Sequence, residues 1–253
     1  MDRIDEPMSD RTCSPVVELR QYTLVGGRRE TLIALFEREF IETQEATGIT
    51  VIGQFRDLNN PDRFVWLRGF DDMPTRARAL HEFYGGPVWK THREAANATM
   101  IDSDNVLLLR PASPTSGFQL EQARRAPIGS TTNREDLLVV TISHLGKTRG
   151  ADFADFFERE LQPRLTKAGV SVLSSFVSET HPNTFPRLPV RENANVFVWF
   201  ARFLDRKAYE KSAAAIGESM REKETAGKLQ ALIVDQPEIL VLSPTARSLL
   251  PFR

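Results

Sequence analysis

This chain of 253 residues contains one pattern twice. Phe36-Glu37-Arg38-Glu39 recurs as Phe157-Glu158-Arg159-Glu160, a shift of 121, and Phe64-Val65-Trp66 recurs as Phe197-Val198-Trp199, a shift of 133. The difference, 133 − 121 = 12 residues, locates one insertion in the second copy, between Val172 and Asn195. A repeat of this length limits the possible folds, because each copy must form the same supersecondary unit and the two must bury their apolar faces together.

The first copy opens with Val16 to Leu24, rich in strand-favouring residues and closed by Gly26-Gly27. A helix is expected from about Arg28 to Thr47, with Leu32, Leu35, Phe36 and Phe40 at helical spacing and Gly48 as its stop. The second copy reproduces that stripe as Phe153, Phe156, Phe157 and Leu161 and stops at Gly169. Two strands follow in each copy, Val51 to Arg56 and Phe64 to Phe70, then Val172 to Ser178 and Val196 to Phe203. The second pair is joined by a proline-rich excursion from His181 to Asn193. A second helical region, Thr75 to Ala98, is broken at Gly85-Gly86-Pro87, where Pro87 suits a first helical turn. Its counterpart, Arg206 to Ala226, has no such break, and each copy ends in an apolar strand, Val106 to Arg110 and Ile239 to Leu242.

The order strand, helix, strand, strand, helix, strand is ferredoxin-like, with helices on one face of the sheet. The other face needs cover, and the second copy supplies it. The expected fold is therefore α+β: tandem ferredoxin-like units packed sheet to sheet as a pseudo-twofold dimeric α+β barrel. The expected organisation is a tail over 1–15, units over 16–111 and 137–244, a Pro- and Gly-bearing linker over 112–136 with a helical turn near Leu120 to Arg125, and a C-terminal tail over 245–253. The apolar end Leu249-Leu250-Pro251-Phe252 reads as frayed or as a surface for a partner chain.

Lys and Arg total 33 against 34 for Asp and Glu, which argues against nucleic acid or an anionic membrane as partner. No apolar stretch approaches the ~20 residues of a membrane span. Met1 to Ser14 does not read as a secretory signal, so a cytoplasmic location is expected, and the sequon Asn97-Ala98-Thr99 is read as coincidence. Cys13 lies in the polar tail and reads as a solvated bystander.

Val17-Glu18-Leu19-Arg20-Gln21-Tyr22-Thr23, Phe83-Tyr84-Gly85-Gly86-Pro87-Val88-Trp89-Lys90 and Asp104-Asn105-Val106-Leu107-Leu108-Leu109-Arg110-Pro111 resemble the NIPSNAP-domain family over about residues 16 to 112. From about 137 to 244 only the framework of the resemblance persists. It implies the dimeric α+β barrel shared by small monooxygenases, haem-degrading proteins and isomerases, and it does not imply one reaction.

Strand alternation sets Glu18, Arg20 and Tyr22 on one face and Val17, Leu19 and Gln21 on the other. With the apolar pair turned to the helices, the polar trio points into the barrel. There Arg20 and Tyr22 could hold a carboxylate or an oxyanion, or Glu18 and Arg20 could simply neutralise one another. His81, Tyr84, Trp89 and His92 lie on the broken helix, expected to cap one barrel end, with proton-transferring imidazoles beside an aromatic wall. Their counterparts at a shift of 133 are Ala214, Gly217, Glu222 and Thr225; those of Glu18, Arg20 and Tyr22 at 121 are Val139, Thr141 and Ser143. The first copy therefore reads as the functional one and the second as support.

The expectation is a small organic ligand, aromatic or carbonyl-bearing, in the barrel of the first repeat. Catalytic roles would fall to His81, His92, Arg20 and Tyr22, and ligand contacts to Glu18, Tyr84 and Trp89, in a cofactor-independent monooxygenase, isomerase or cyclase. The alternative is a non-catalytic binding or assembly module. No tightly bound cofactor and no metal site is expected, because no recognised ligand spacing occurs. Haem on one axial histidine is a minor option that the resemblance brings, and a homodimer is a further expectation.

Overall fold

The computed structural model describes residues 14–131, 134–219 and 223–251, without the side chains of 217–224. Cys13, Phe252 and the side chains of Gly217 and Glu222 therefore lie outside the described residues.

The first half runs β1 (Val16–Leu24), α1 (Arg29–Leu35), a π-helical turn (Phe36–Phe40), α2 (Ile41–Glu45), β2 (Thr50–Asp57), β3 (Arg63–Phe70), α3 (Met73–Gly85), α4 (Pro87–Asn97) and β4 (Met100–Pro111). The second runs β5 (Leu137–His144), α5 (Gly150–Phe156), a π-helical turn (Phe157–Leu161), α6 (Gln162–Lys167), β6 (Ser171–Ser178), β7 (Val196–Phe203), α7 (Arg206–Ser219), α8 (Lys223–Leu232) and β8 (Glu238–Pro244). The repeated Phe-Glu-Arg-Glu segment is the π-helical turn in both halves, a widening that interrupts the single helix expected there. The one helix expected over 206–226 is described as two, α7 and α8. Near Leu120 the chain makes a single turn, closed by Ala123 N–H donating to the Leu120 carbonyl at 2.9 Å.

The eight strands close into an antiparallel barrel in the order β1-β3-β2-β8-β5-β7-β6-β4. Each half contributes four adjacent strands, and the halves are sewn together by β2 with β8 (Phe55 opposite Pro244) and by β4 with β6 (Leu109 opposite Ser178). The registers agree residue for residue. β1 pairs β3 from Val16 opposite Phe70 to Thr23 opposite Arg63; β5 pairs β7 from Leu137 opposite Phe203 to His144 opposite Val196. A register shift falls between Val51 and Gly53 and again between Val172 and Ser174.

Closure buries both faces of every central strand, so β1 and β5 are buried almost throughout. The inner faces meet in one apolar core that includes Val17, Leu19, Val65, Val140, Val198 and Leu240. Phe118, from the segment joining the halves, enters that core and packs on Phe176 and Phe200. Leu250 also enters it and is fully buried. The segment is therefore held down as far as Leu250, whose burial contributes about 1.5–3 kcal/mol. The interior of the barrel is thus lined by a contiguous apolar cluster. The helices lie outside it, α1 to α4 over the first sheet and α5 to α8 over the second, each set enclosing its own apolar cluster.

Candidate functional site

Val17 and Leu19 belong to the barrel core, so Glu18, Arg20 and Tyr22 point the other way, toward the helices. This reverses the expected orientation. Apolar residues suit either buried face of β1, but only the helix side offers polar partners. There Glu18 takes Arg20 Nη1 at 2.5 Å, Arg68 Nε at 2.8 Å and Arg76 Nε at 2.7 Å, with every one of these side chains fully buried. Arg20 Nε donates to the Tyr22 hydroxyl at 2.9 Å, and Arg68 Nη1 donates to Gln44 Oε1 at 3.2 Å and to the Tyr84 hydroxyl at 3.4 Å. Arg68 and Arg76 were not among the residues singled out in the sequence; Arg68 lies two residues from Trp66 and Arg76 on the following helix, spacings that carry no signal without the register.

Burial would raise the Glu18 pKa, yet Arg68, Arg20 and Arg76 outweigh it and hold the carboxyl well below the usual carboxylate range. Burial raises Tyr22 above the ordinary phenol value against the pull of Arg20, so the phenol is neutral near pH 7. Burial, with Arg68 and Arg20 alongside, lowers Arg76 despite the attraction of Glu18. Three guanidiniums share one carboxylate, and aromatic faces accept the remainder: Arg20 and Arg68 lie 5.5 and 5.0 Å from the Trp66 ring, and Arg76 lies 5.9 Å from Phe70.

The excursion unique to the second half closes this cluster. Asn183 Oδ1 and Thr184 Oγ1 accept from Arg76 Nη1 at 2.9 and 3.1 Å, and the buried Phe185 stacks on Tyr84 at 5.8 Å. The broken helix α3–α4 packs on the outer face of the sheet rather than over a barrel end. On it Tyr84 and Trp89 are half-buried, with rings 4.8 Å apart, and pack with Phe83 against the first half's apolar cluster. His81 is exposed, its Nδ1 2.8 Å from the Ala77 carbonyl and its ring edge-on to Phe185. His92 sits apart with Nε2 3.6 Å from Glu39 Oε2. The structure thus gathers Glu18, Arg20, Tyr22 and Tyr84, and leaves His81 and His92 outside that group.

The corresponding space in the second half is open. A mostly apolar cavity of about 390 Å³ lies between β5, β7 and the helices, lined by Val139, Thr141, Ser143, Trp199, Tyr209 and Ile216 among others. Val139, Thr141 and Ser143 are the counterparts of Glu18, Arg20 and Tyr22; Ala201 and Tyr209 are those of Arg68 and Arg76. Trp66 and Trp199 are kept, but Trp66 is buried under the arginines and Trp199 faces the cavity. Small residues on β5 leave empty the volume that Glu18, Arg20, Tyr22 and Arg68 fill on the first sheet. The half expected only to support the fold holds the cavity. No histidine lines it, so it presents no axial imidazole to a haem. Among the described residues no three His, Cys, Asp or Glu side chains converge as a metal would require, and no helix is long and apolar enough to cross a membrane.

The pairing of a ferredoxin-like first half with this sequence has a family counterpart. Residues 17–115 match the NIPSNAP family model. No curated protein sequence matches the chain. Over its whole length the barrel is similar to a provisionally assigned monooxygenase from Fusobacterium nucleatum, with 10% identity, a TM-score of 0.57, and 92% of this chain and 93% of that one covered. It is also similar to one from Lactobacillus acidophilus NCFM, with 12% identity, a TM-score of 0.53, and 91% and 94% covered. An anthrone oxidase-like protein gives 13% identity and a TM-score of 0.51, with 91% of each chain covered. At these identities the likeness establishes a dimeric α+β barrel, with the NIPSNAP match confined to its first half.

Proposed function

We propose that this protein binds a small, largely apolar organic molecule in the helix–sheet cavity of its second half, while the first half is a structural counterpart locked by its buried ion cluster. The observation that carries this reading is the substitution of Val139, Thr141, Ser143 and Ala201 for Glu18, Arg20, Tyr22 and Arg68, which coincides with the cavity. Its volume lies at the small end of the range of ligand pockets, and its lining is the usual mixture of apolar walls with a few polar groups. The Thr141 and Ser143 side chains line the cavity, and their hydroxyls supply polar groups that can orient a carbonyl or hydroxyl on the ligand. Trp199 offers a flat face for an aromatic ring.

His81 and His92 belong to the other half, which argues against them as acid and base for this ligand. Among the described residues Tyr209 is the one titratable side chain in the lining. Binding is therefore the primary function assigned, and the names of the barrel's relatives make oxygenation the turnover to assay.

The test uses the whole protein and a neutral two-ring aromatic dye, N-phenyl-1-naphthylamine. Ser143→Tyr and Val139→Phe place large side chains in the cavity and should weaken dye binding at least tenfold while the circular dichroism spectrum stays unchanged. Unaltered binding in both variants would overturn the assignment. Oxygen uptake with a phenolic ligand, lost in Ser143→Tyr, would make the cavity an active site; no uptake would leave it a binding site.

A further inference from the structure

The buried ion cluster of the first half is unbalanced. Glu18, Arg20, Arg68 and Arg76 are all fully buried, and three guanidiniums against one carboxylate leave two positive charges inside the fold. The other acceptors are amide and hydroxyl oxygens rather than carboxylates. Arg20 Nε has the Tyr22 hydroxyl, Arg68 Nη1 has Gln44 Oε1 and the Tyr84 hydroxyl, and Arg76 Nη1 has Asn183 Oδ1 and Thr184 Oγ1. Buried charge is costly without a counter-charge, and buried ions are ordinarily paired.

Donors are left over as well as charge. Arg20 uses Nε and Nη1 on Tyr22 and Glu18, and Arg76 uses Nε and Nη1 on Glu18, Asn183 and Thr184. Among the described residues the remaining nitrogen of each, Arg20 Nη2 and Arg76 Nη2, is buried with no hydrogen-bond partner. A buried polar atom of this kind calls for an explanation, and an ion is one. The rings of Tyr22, Trp66 and Phe70 attract these cations but offer no lone pair to an N–H. Arg20 Nη1 and Arg76 Nε lie 2.5 and 2.7 Å from the oxygens of one carboxylate, so the two leftover nitrogens lie within a guanidinium's width of it.

We infer that the first half holds a monatomic anion, chloride under ordinary conditions, on Arg20 Nη2 and Arg76 Nη2 beside Glu18. Guanidinium N–H groups are strong charge-assisted donors, and the full burial of the four charged side chains restricts the occupant to a small ion. The ion halves the charge left inside the cluster. The second half carries Val139, Thr141, Ala201 and Tyr209 at the corresponding positions, with no guanidinium among them, so the stoichiometry is one ion per chain. This site is separate from the cavity of the second half and stands whether or not that cavity binds a ligand.

The test melts the whole protein at one fixed ionic strength while chloride is exchanged for gluconate, which is too large for a fully buried site. An ion that binds only the folded chain stabilises it by mass action. Above its dissociation constant, each tenfold rise in chloride should therefore raise the melting temperature by roughly 3–6 °C. Crystals grown from sodium bromide should show one anomalous scatterer per chain, in contact with Arg20 Nη2 and Arg76 Nη2. Arg76→Met removes one donor and one charge, and Gln44→Glu supplies a fixed carboxylate beside Arg68 Nη1; each should cut the chloride-dependent shift by at least half. A melting temperature indifferent to the exchange, a shift of equal size in both variants, or bromide found only on the surface would overturn the inference. The wild-type melts and the bromide map decide the matter even where a variant does not fold.

Discussion

Glu18→Gln tests the energetic heart of the first half. The amide keeps the volume of the carboxylate and removes its charge, so three fully buried guanidiniums lose their shared counter-ion, and the new NH₂ has to face N–H donors 2.5–2.8 Å away. Removing one member of a buried ion pair costs about 3–5 kcal/mol, because the partner charge is left uncompensated. Here three cations are affected, so the loss should be at least about 4 kcal/mol, a large share of the roughly 5–15 kcal/mol that holds an ordinary domain together. In a chain of this size that corresponds to a melting temperature lower by roughly 8–16 °C. Urea denaturation followed by circular dichroism measures it directly. Arg76→Met provides the control: it relieves repulsion among the arginines and leaves Glu18 paired with two of them, at the loss of the contacts to Glu18, Asn183 and Thr184, so it should cost less than Glu18→Gln. A Glu18→Gln loss under about 1 kcal/mol, or equal costs for the two variants, would show that charge balance is not what holds the cluster. Glu18 also makes stability depend on pH. Because the folded carboxyl is held below its ordinary value near 4.5, its contribution is complete above that pH and is lost as the solution is acidified below it. Glu18→Gln should therefore flatten the acid limb of the stability profile, and an unchanged limb would refute the assignment.

Three further outcomes follow from the packing. Phe185→Ala removes a buried ring stacked on Tyr84 and edge-on to His81, and should cost about 3–5 kcal/mol by denaturation although the residue sits in an irregular excursion. Leu250→Ala should cost about 2–5 kcal/mol, which a merely frayed terminus would not. The double variant His81→Ala with His92→Ala should stay within about 1 kcal/mol of wild type and bind the naphthylamine dye unchanged, since both imidazoles lie outside the second half's cavity; loss of dye binding would return them to the site.

The repeated Phe-Glu-Arg-Glu and Phe-Val-Trp segments were sufficient to place two ferredoxin-like units on one barrel, because apolar periodicity is a local property and survives without tertiary knowledge. The position of the insertion was equally legible. Its role was not, since Phe185 and Asn183 act on residues more than a hundred positions away. The direction of Glu18, Arg20 and Tyr22 could not be read either. β1 is buried on both faces, so Val17 and Leu19 are equally at home in the lumen or under the helices, and only the partners contributed by Gln44, Arg68 and Arg76 decide.

The same limit applies to the comparison of the two halves. Comparing the copies located the positions that matter, β1 against β5, and the residue types were visible at once. Whether those side chains mark a reactive centre or a filled one depends on what packs against them. Three arginines closing on one carboxylate make the first half solid, and the smaller residues opposite Trp199 leave the second half open. Sequence fixes the pattern of differences because it is written residue by residue; volume and charge balance are sums over neighbours that only the folded chain brings together.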